Sequence, residues 1–192
     1  MNKTLRQFTS KAVILALLLG FVGILPAEAG DLFYIARNYS QSGVAKKCVN
    51  PAGDATNGSR LWLWGPIPKG HAPRYRFKLV SAGDEGNKHF DYLLNTFSGK
   101  YMCSGDTKDG GKLWLWGPIP KGHEPRYQFM LARTAQEHVY RIWHKFSGKY
   151  VGAAPGEKNG SELELWSLNK GGIAFDFEFT EKEPESPVLY HP

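Results

Sequence analysis

The chain has 192 residues, of which 42% are hydrophobic, and 24 Lys and Arg stand against 18 Asp and Glu for a formal charge of +6. These proportions fit an ordinary globular chain and exclude a disordered or fibrous one. So mild a positive charge is not the signature of a nucleic-acid binder.

Residues 1–29 have the layout of a secretory signal peptide: Lys3, Arg6 and Lys11, an apolar run from Ala12 to Leu25, then Ala27-Glu28-Ala29 as a cleavage site. About fourteen apolar residues fall short of the ~20 needed to span a bilayer, so the run reads as a cleaved leader and not as an anchor. No later stretch is long or apolar enough to span a membrane, and the expected location is secreted or periplasmic. Removing three basic residues and one acid lowers the net charge from +6 to +4. The expected domain runs over residues 30–181, and the proline-containing segment 182–192 reads as a disordered tail.

Within that domain the sequence repeats. Arg60 to Phe77 returns 52 residues later as Lys112 to Phe129, almost letter for letter, and a diverged third copy carries Leu163-Glu164-Leu165-Trp166 and Phe175-Asp176-Phe177. The units span about 31–86, 87–137 and 138–181. Each predicts four strands. The first is aromatic-rich (Phe33 to Ala36; Phe90 to Leu94; Val139 to Trp143), and the second starts at Cys48, Tyr101 or Tyr150. The third is the Leu-x-Leu-Trp segment, entered through the turns Asn57-Gly58, Asp109-Gly110 and Asn159-Gly160, whose positive φ suits a tight hairpin. The fourth runs through Phe77, Phe129 or Phe177. Period-two alternation without a helical stripe makes the domain all-β, with Leu61, Leu63, Leu113 and Leu115 facing inward. Three four-stranded units that close into a barrel capped by hairpins leave no exposed edges, which is the β-trefoil; a β-sandwich is the alternative.

The string Ser-Gly-Lys-Tyr-Val in the second strand, Asn-Gly-Ser-x-Leu-x-Leu-Trp and the aromatic fourth strand together resemble a ricin B-type lectin repeat, from about Phe33 to Glu181. The resemblance implies a non-catalytic carbohydrate-binding module whose partner is a glycan or glycoprotein. It puts the stacking platform on Trp64, Trp116 and Trp166. The family's aspartate falls on Asn50, Cys103 and Gly152, with Asp54 and Asp106 nearby, and its Asn-Gln pair falls on Arg74-Tyr75, Arg126-Tyr127 and Ala174-Phe175. These positions depart from a galactose-type pattern.

A sugar site needs an apolar face for the ring and a few convergent polar groups for its hydroxyls. The Trp-Gly-Pro-Ile-Pro-Lys-Gly-His-x-Pro-Arg-Tyr segments offer both, with Lys69, His71, Arg74 and Tyr75 in one copy and Lys121, His123, Arg126 and Tyr127 in the next. Such a basic rim suits acidic or sulfated glycans. Trp62 and Trp114 have the weaker case, because the third copy has Glu164 there. The competing reading is a protein-interaction or protease-inhibitor trefoil in which the tryptophans only cover the cap.

The histidines His71, His89, His123, His138, His144 and His191 form no metal-ligand spacing, no G-x-S-x-G elbow occurs, and no cofactor or catalytic residue is expected. Cys48 and Cys103 occupy unmatched positions in different units, which leaves open either a bridge or two separate buried thiols.

Overall fold

The computed structural model describes residues 32–37, 46–153, 158–171 and 174–182. The expected leader and the tail beyond Lys182 lie outside them. Among the described residues the regular elements are strands and two short 3-10 turns. The first repeat contributes β1 (Leu32–Arg37), β2 (Cys48–Pro51), β3 (Leu61–Trp64) and β4 (Arg76–Glu85). The second contributes β5 (Lys88–Asn95), β6 (Lys100–Cys103), β7 (Gly111–Lys112), β8 (Trp114–Trp116) and β9 (Gln128–Arg133). The third contributes β10 (Val139–His144), β11 (Lys149–Ala153), β12 (Ser161–Trp166) and β13 (Asp176–Thr180). The third strand of the second repeat is thus split in two.

The outer strands of each repeat form a barrel. Antiparallel pairing runs β1 to β4, β4 to β5, β5 to β9, β9 to β10, β10 to β13 and back from β13 to β1, so the ring closes and no barrel edge is left unpaired. The inner strands pair as β2–β3, β6–β8 and β11–β12, three hairpins in one register: Cys48 opposes Trp64, Tyr101 opposes Trp116 and Tyr150 opposes Trp166.

Alternation decides what each third strand buries. Leu61, Leu63, Leu113, Leu115, Leu163 and Leu165 all face the core, where they meet Phe77, Phe129 and Phe177 from the three fourth strands. Each such side chain contributes about 1.5–3 kcal/mol on leaving water. The intervening tryptophans are therefore turned outward.

The Asn-Gly and Asp-Gly turns do more than the sequence suggests. They do not close two-residue hairpins, since residues 52–60 separate β2 from β3. Instead each turn grips a neighbouring repeat: the Gly58 N–H donates to the Leu115 carbonyl (2.8 Å), Gly110 to Leu165 (2.9 Å) and Gly160 to Leu63 (2.9 Å). The residue before each glycine completes the grip, with Asn57 Oδ1 accepting from the Gly117 N–H (3.2 Å), Asp109 Oδ1 from Ser167 (2.9 Å) and Asn159 Oδ1 from Gly65 (3.1 Å). Glycine is required at these turns, where φ is +86°, +79° and +86°. A Cβ there would make only ordinary contact, at 3.7–3.9 Å, with the rings of Trp116, Trp166 and Trp64 respectively, so the requirement comes from the backbone.

Cys48 and Cys103 are both buried and are not joined by a disulfide, so of the two arrangements left open the structure has separate thiols.

Candidate functional site

The second repeat builds a cleft of about 300 Å³ on the outer side of its third strand, lined by Cys103, Ser104, Gly105, Trp114, Trp116, Pro120, His123, Arg126 and Tyr127. Strand alternation places Trp114 and Trp116 on this side, and Trp116 is 41% exposed. The proline-containing loop that follows ends in a 3-10 turn over Glu124–Arg126 with a proline in its first positions, which returns the chain toward β9. That return sets Arg126 on the rim and Tyr127 in the floor.

Arg126 is fixed through its backbone and its side chain. Its carbonyl accepts from the Ser104 N–H (3.1 Å) and from His144 Nε2 (3.0 Å), while its guanidinium lies over the Phe146 ring, 5.0 Å from the centroid. His144 is fully buried, and burial depresses its imidazole to about 4, so at neutral pH it is uncharged. The two contacts assign its tautomer: Nε2–H donates to Arg126 and Nδ1 accepts from Ser147 Oγ (2.9 Å).

The cleft floor is neutral. Burial pushes the Cys103 thiol up to about 12 and the Tyr127 hydroxyl up to about 12, the neighbouring cysteine adding to the latter. A cationic rim stands above these uncharged groups.

The first repeat is arranged differently. Trp64 is 36% exposed, and Lys69 and His71 are exposed beyond it. Arg74 lies over Phe97 at 5.4 Å, but its Nη2 donates to the carbonyls of Pro51 and Gly53. Asn50 is buried and donates through Nδ2 to the carbonyl of Trp62 (3.4 Å), the residue directly opposite it in the β2–β3 hairpin. Tyr75 is buried as well, packed with Tyr34, Ala36 and Cys48. Asn50 and Tyr75 are thus both buried in the first repeat, whereas Lys69 and His71 are exposed.

In the third repeat Trp166 is half-buried, its indole nitrogen is enclosed without a hydrogen-bond partner among the described residues, and Lys170 Nζ lies 5.7 Å from the ring centroid. The cleft therefore brings together Trp116, His123, Arg126 and Tyr127 from the expected residues, with Lys121 exposed in the same loop but outside the lining. Asp106 is held in its own loop, where Oδ2 accepts from the Lys112 N–H (3.0 Å). Sequence reasoning missed Phe146 and His144 as supports and undervalued Trp114. The signal was there: Asn95-Thr-Phe-Ser-Gly-Lys-Tyr and His144-Lys-Phe-Ser-Gly-Lys-Tyr are copies of one another. Asn95 does in the first junction what His144 does in the second, donating to the Arg74 carbonyl (2.9 Å) and accepting from Ser98 Oγ (2.9 Å).

No protein-family model matches the chain, and no curated protein matches it by sequence. Solved structures do match. A ricin B-like lectin of Macrolepiota procera, in complex with lactose, aligns with a TM-score of 0.56 at 16% identity over 78% of this chain and 94% of its own. The cytolethal distending toxin of Haemophilus ducreyi aligns with a TM-score of 0.58 at 13% identity over 86% and 92%. The Polyporus squamosus lectin bound to a Neu5Ac-containing influenza-binding epitope aligns with a TM-score of 0.59 at 17% identity over 78%, this chain spanning about half (49%) of its length. The fold is a β-trefoil. At these identities the likeness establishes the architecture the chain shares with ricin B-like lectins, and the trefoil's barrel and cap are the six outer strands and three hairpins described above. Trefoils host unrelated functions, so activity has to be argued from the cleft.

Proposed function

We propose that the chain is a secreted or periplasmic, non-catalytic carbohydrate-binding protein that takes a glycan in the cleft of the second repeat. The observation that carries this reading is the exposed Trp116 ring beside a cleft that also holds Arg126 and His123. An indole face packs against the C–H surface of a sugar ring, and fixed polar groups at its edge orient the hydroxyls. The three prolines of the loop, Pro118, Pro120 and Pro125, and the double anchoring of Arg126 reduce the freedom lost on binding. The cationic Arg126 beside His123 at the cleft favours acidic glycans. The lectin likenesses support this reading at the level of fold. Export is proposed from the leader alone, and N-terminal sequencing of material outside the cytoplasm is expected to begin at Gly30.

Tryptophan fluorescence titration against a glycan panel tests the binding. A bound glycan should perturb the emission, and Trp116→Ala should abolish the response. No response to any glycan, with Trp116→Ala and Trp64→Ala both silent, would sink the proposal.

A protein partner is the competing reading, favoured by the exposure of Phe97 (51%) and Phe146 (39%), each covered on one face by an arginine. Aromatic and arginine side chains dominate protein interfaces. Capture of one stable partner that free sugars do not displace would favour it.

A further inference from the structure

The first two repeats are nearly identical in the Trp-Gly-Pro-Ile-Pro-Lys-Gly-His-x-Pro-Arg-Tyr segment, yet their arginines are in different states, and one upstream substitution accounts for it. Cross-strand register makes Pro51 and Ser104 equivalent: Pro51 opposes Leu61, and Ser104 follows Cys103, which opposes Trp114. Ser104 has a backbone N–H and donates it to the Arg126 carbonyl (3.1 Å), which ties the loop to the arginine through the main chain. Proline has no N–H to donate. In the first repeat the loop is held instead by the arginine side chain, whose Nη2 donates to the carbonyls of Pro51 and Gly53.

Arg74 is thereby a structural strap. Arg126 keeps its donors available: among the described residues its guanidinium has the Phe146 ring beneath it and no carboxylate or carbonyl accepting from it. The nearby acids are tied elsewhere, Asp106 to the Lys112 N–H and Glu124 Oε1 to the Gly122 N–H (3.1 Å). The third repeat has Ala174 at the corresponding place.

Resting on the carbohydrate reading above, we infer that Arg126 alone reads an anionic group of the ligand, a carboxylate or sulfate carried by the glycan, and that each chain takes one such ligand. A planar guanidinium presents paired N–H donors that match the two oxygens of such a group, and the neutral floor of Cys103 and Tyr127 leaves its charge uncompensated. Of the two arginines, only Arg126 has its guanidinium donors free of protein carbonyls among the described residues.

The test is an array that carries sialylated, uronate-containing and sulfated glycans beside their neutral parents, probed with the mature chain, followed by native mass spectrometry with the best-bound glycan. Acidic members are expected to bind at least about tenfold more tightly than their parents, the effect of roughly one charge-assisted hydrogen bond. Arg126→Gln should remove that preference, Arg126→Lys should keep part of it, and Arg133→Gln at the far end of β9 should keep all of it. One ligand per chain is expected. A preference that survives both Arg126 variants, two ligands per chain, or equal binding of neutral parents overturns the inference and leaves the carbohydrate reading standing. Binding of no glycan at all overturns both. Arg126→Lys retains the cation over Phe146, so it serves as the folded variant if the glutamine form does not fold.

Discussion

His144→Asn separates the support of Arg126 from its titration. The imidazole is fully buried and depressed from 6.5 to about 4. The unfolded chain therefore binds a proton between those values that the folded chain does not, and stability rises with pH across that window. The contribution is fully present above about pH 6.5 and is lost as the pH falls toward 4, a swing of about 3 kcal/mol at 1.36 kcal/mol per unit. Asparagine at 144 is the side chain that already serves at Asn95, with the same two hydrogen bonds and no proton to gain. Urea unfolding of both proteins at pH 7, 6, 5 and 4 gives the difference free of the carboxylates they share. The wild type should lose about 3 kcal/mol more than the variant over that range. Parallel pH curves would refute the assignment of a neutral, buried His144.

Gly110→Ala forces an L side chain onto a backbone at φ +79° and should cost about 1–2 kcal/mol, measured by thermal unfolding of the otherwise unchanged chain. Arg74→Ala should destabilise the fold by about 1–3 kcal/mol because the Pro51 and Gly53 carbonyls lose their donor, whereas Arg126→Ala should cost less; equal losses in a denaturant titration would contradict the strap assigned to Arg74. The Cys103 thiol, 4% exposed and pushed up to about 12, should resist alkylation at pH 8 until the protein is unfolded, and fast labelling of the native form would show the floor to be open.

The architecture was legible because its signals repeat. A Leu-x-Leu-Trp segment alternates, and alternation alone turns Leu61, Leu113 and Leu163 inward and the tryptophans outward. The turn glycines announced positive φ, but nothing local indicated that Gly58 would bond to Leu115 in a different repeat. The site was half legible for a similar reason. Trp116, His123 and Arg126 sit in one segment, so their meeting follows from the loop, while Asn50 was placed by family register and its burial depended on the strand opposite. The divergence between Arg74 and Arg126 was invisible in their own segments, which are alike. It arises from Pro51 against Ser104, residues more than twenty positions upstream.

The first and last strands lie side by side, Tyr34 opposite Thr180, and every hairpin is gripped by the turn of another repeat. Topologically the domain is a circle that happens to be cut once. Its three repeats have no intrinsic first member, so the links at 86–87 and 137–138 are equivalent places to open it, and the order in which the repeats are translated is incidental to the structure they make together.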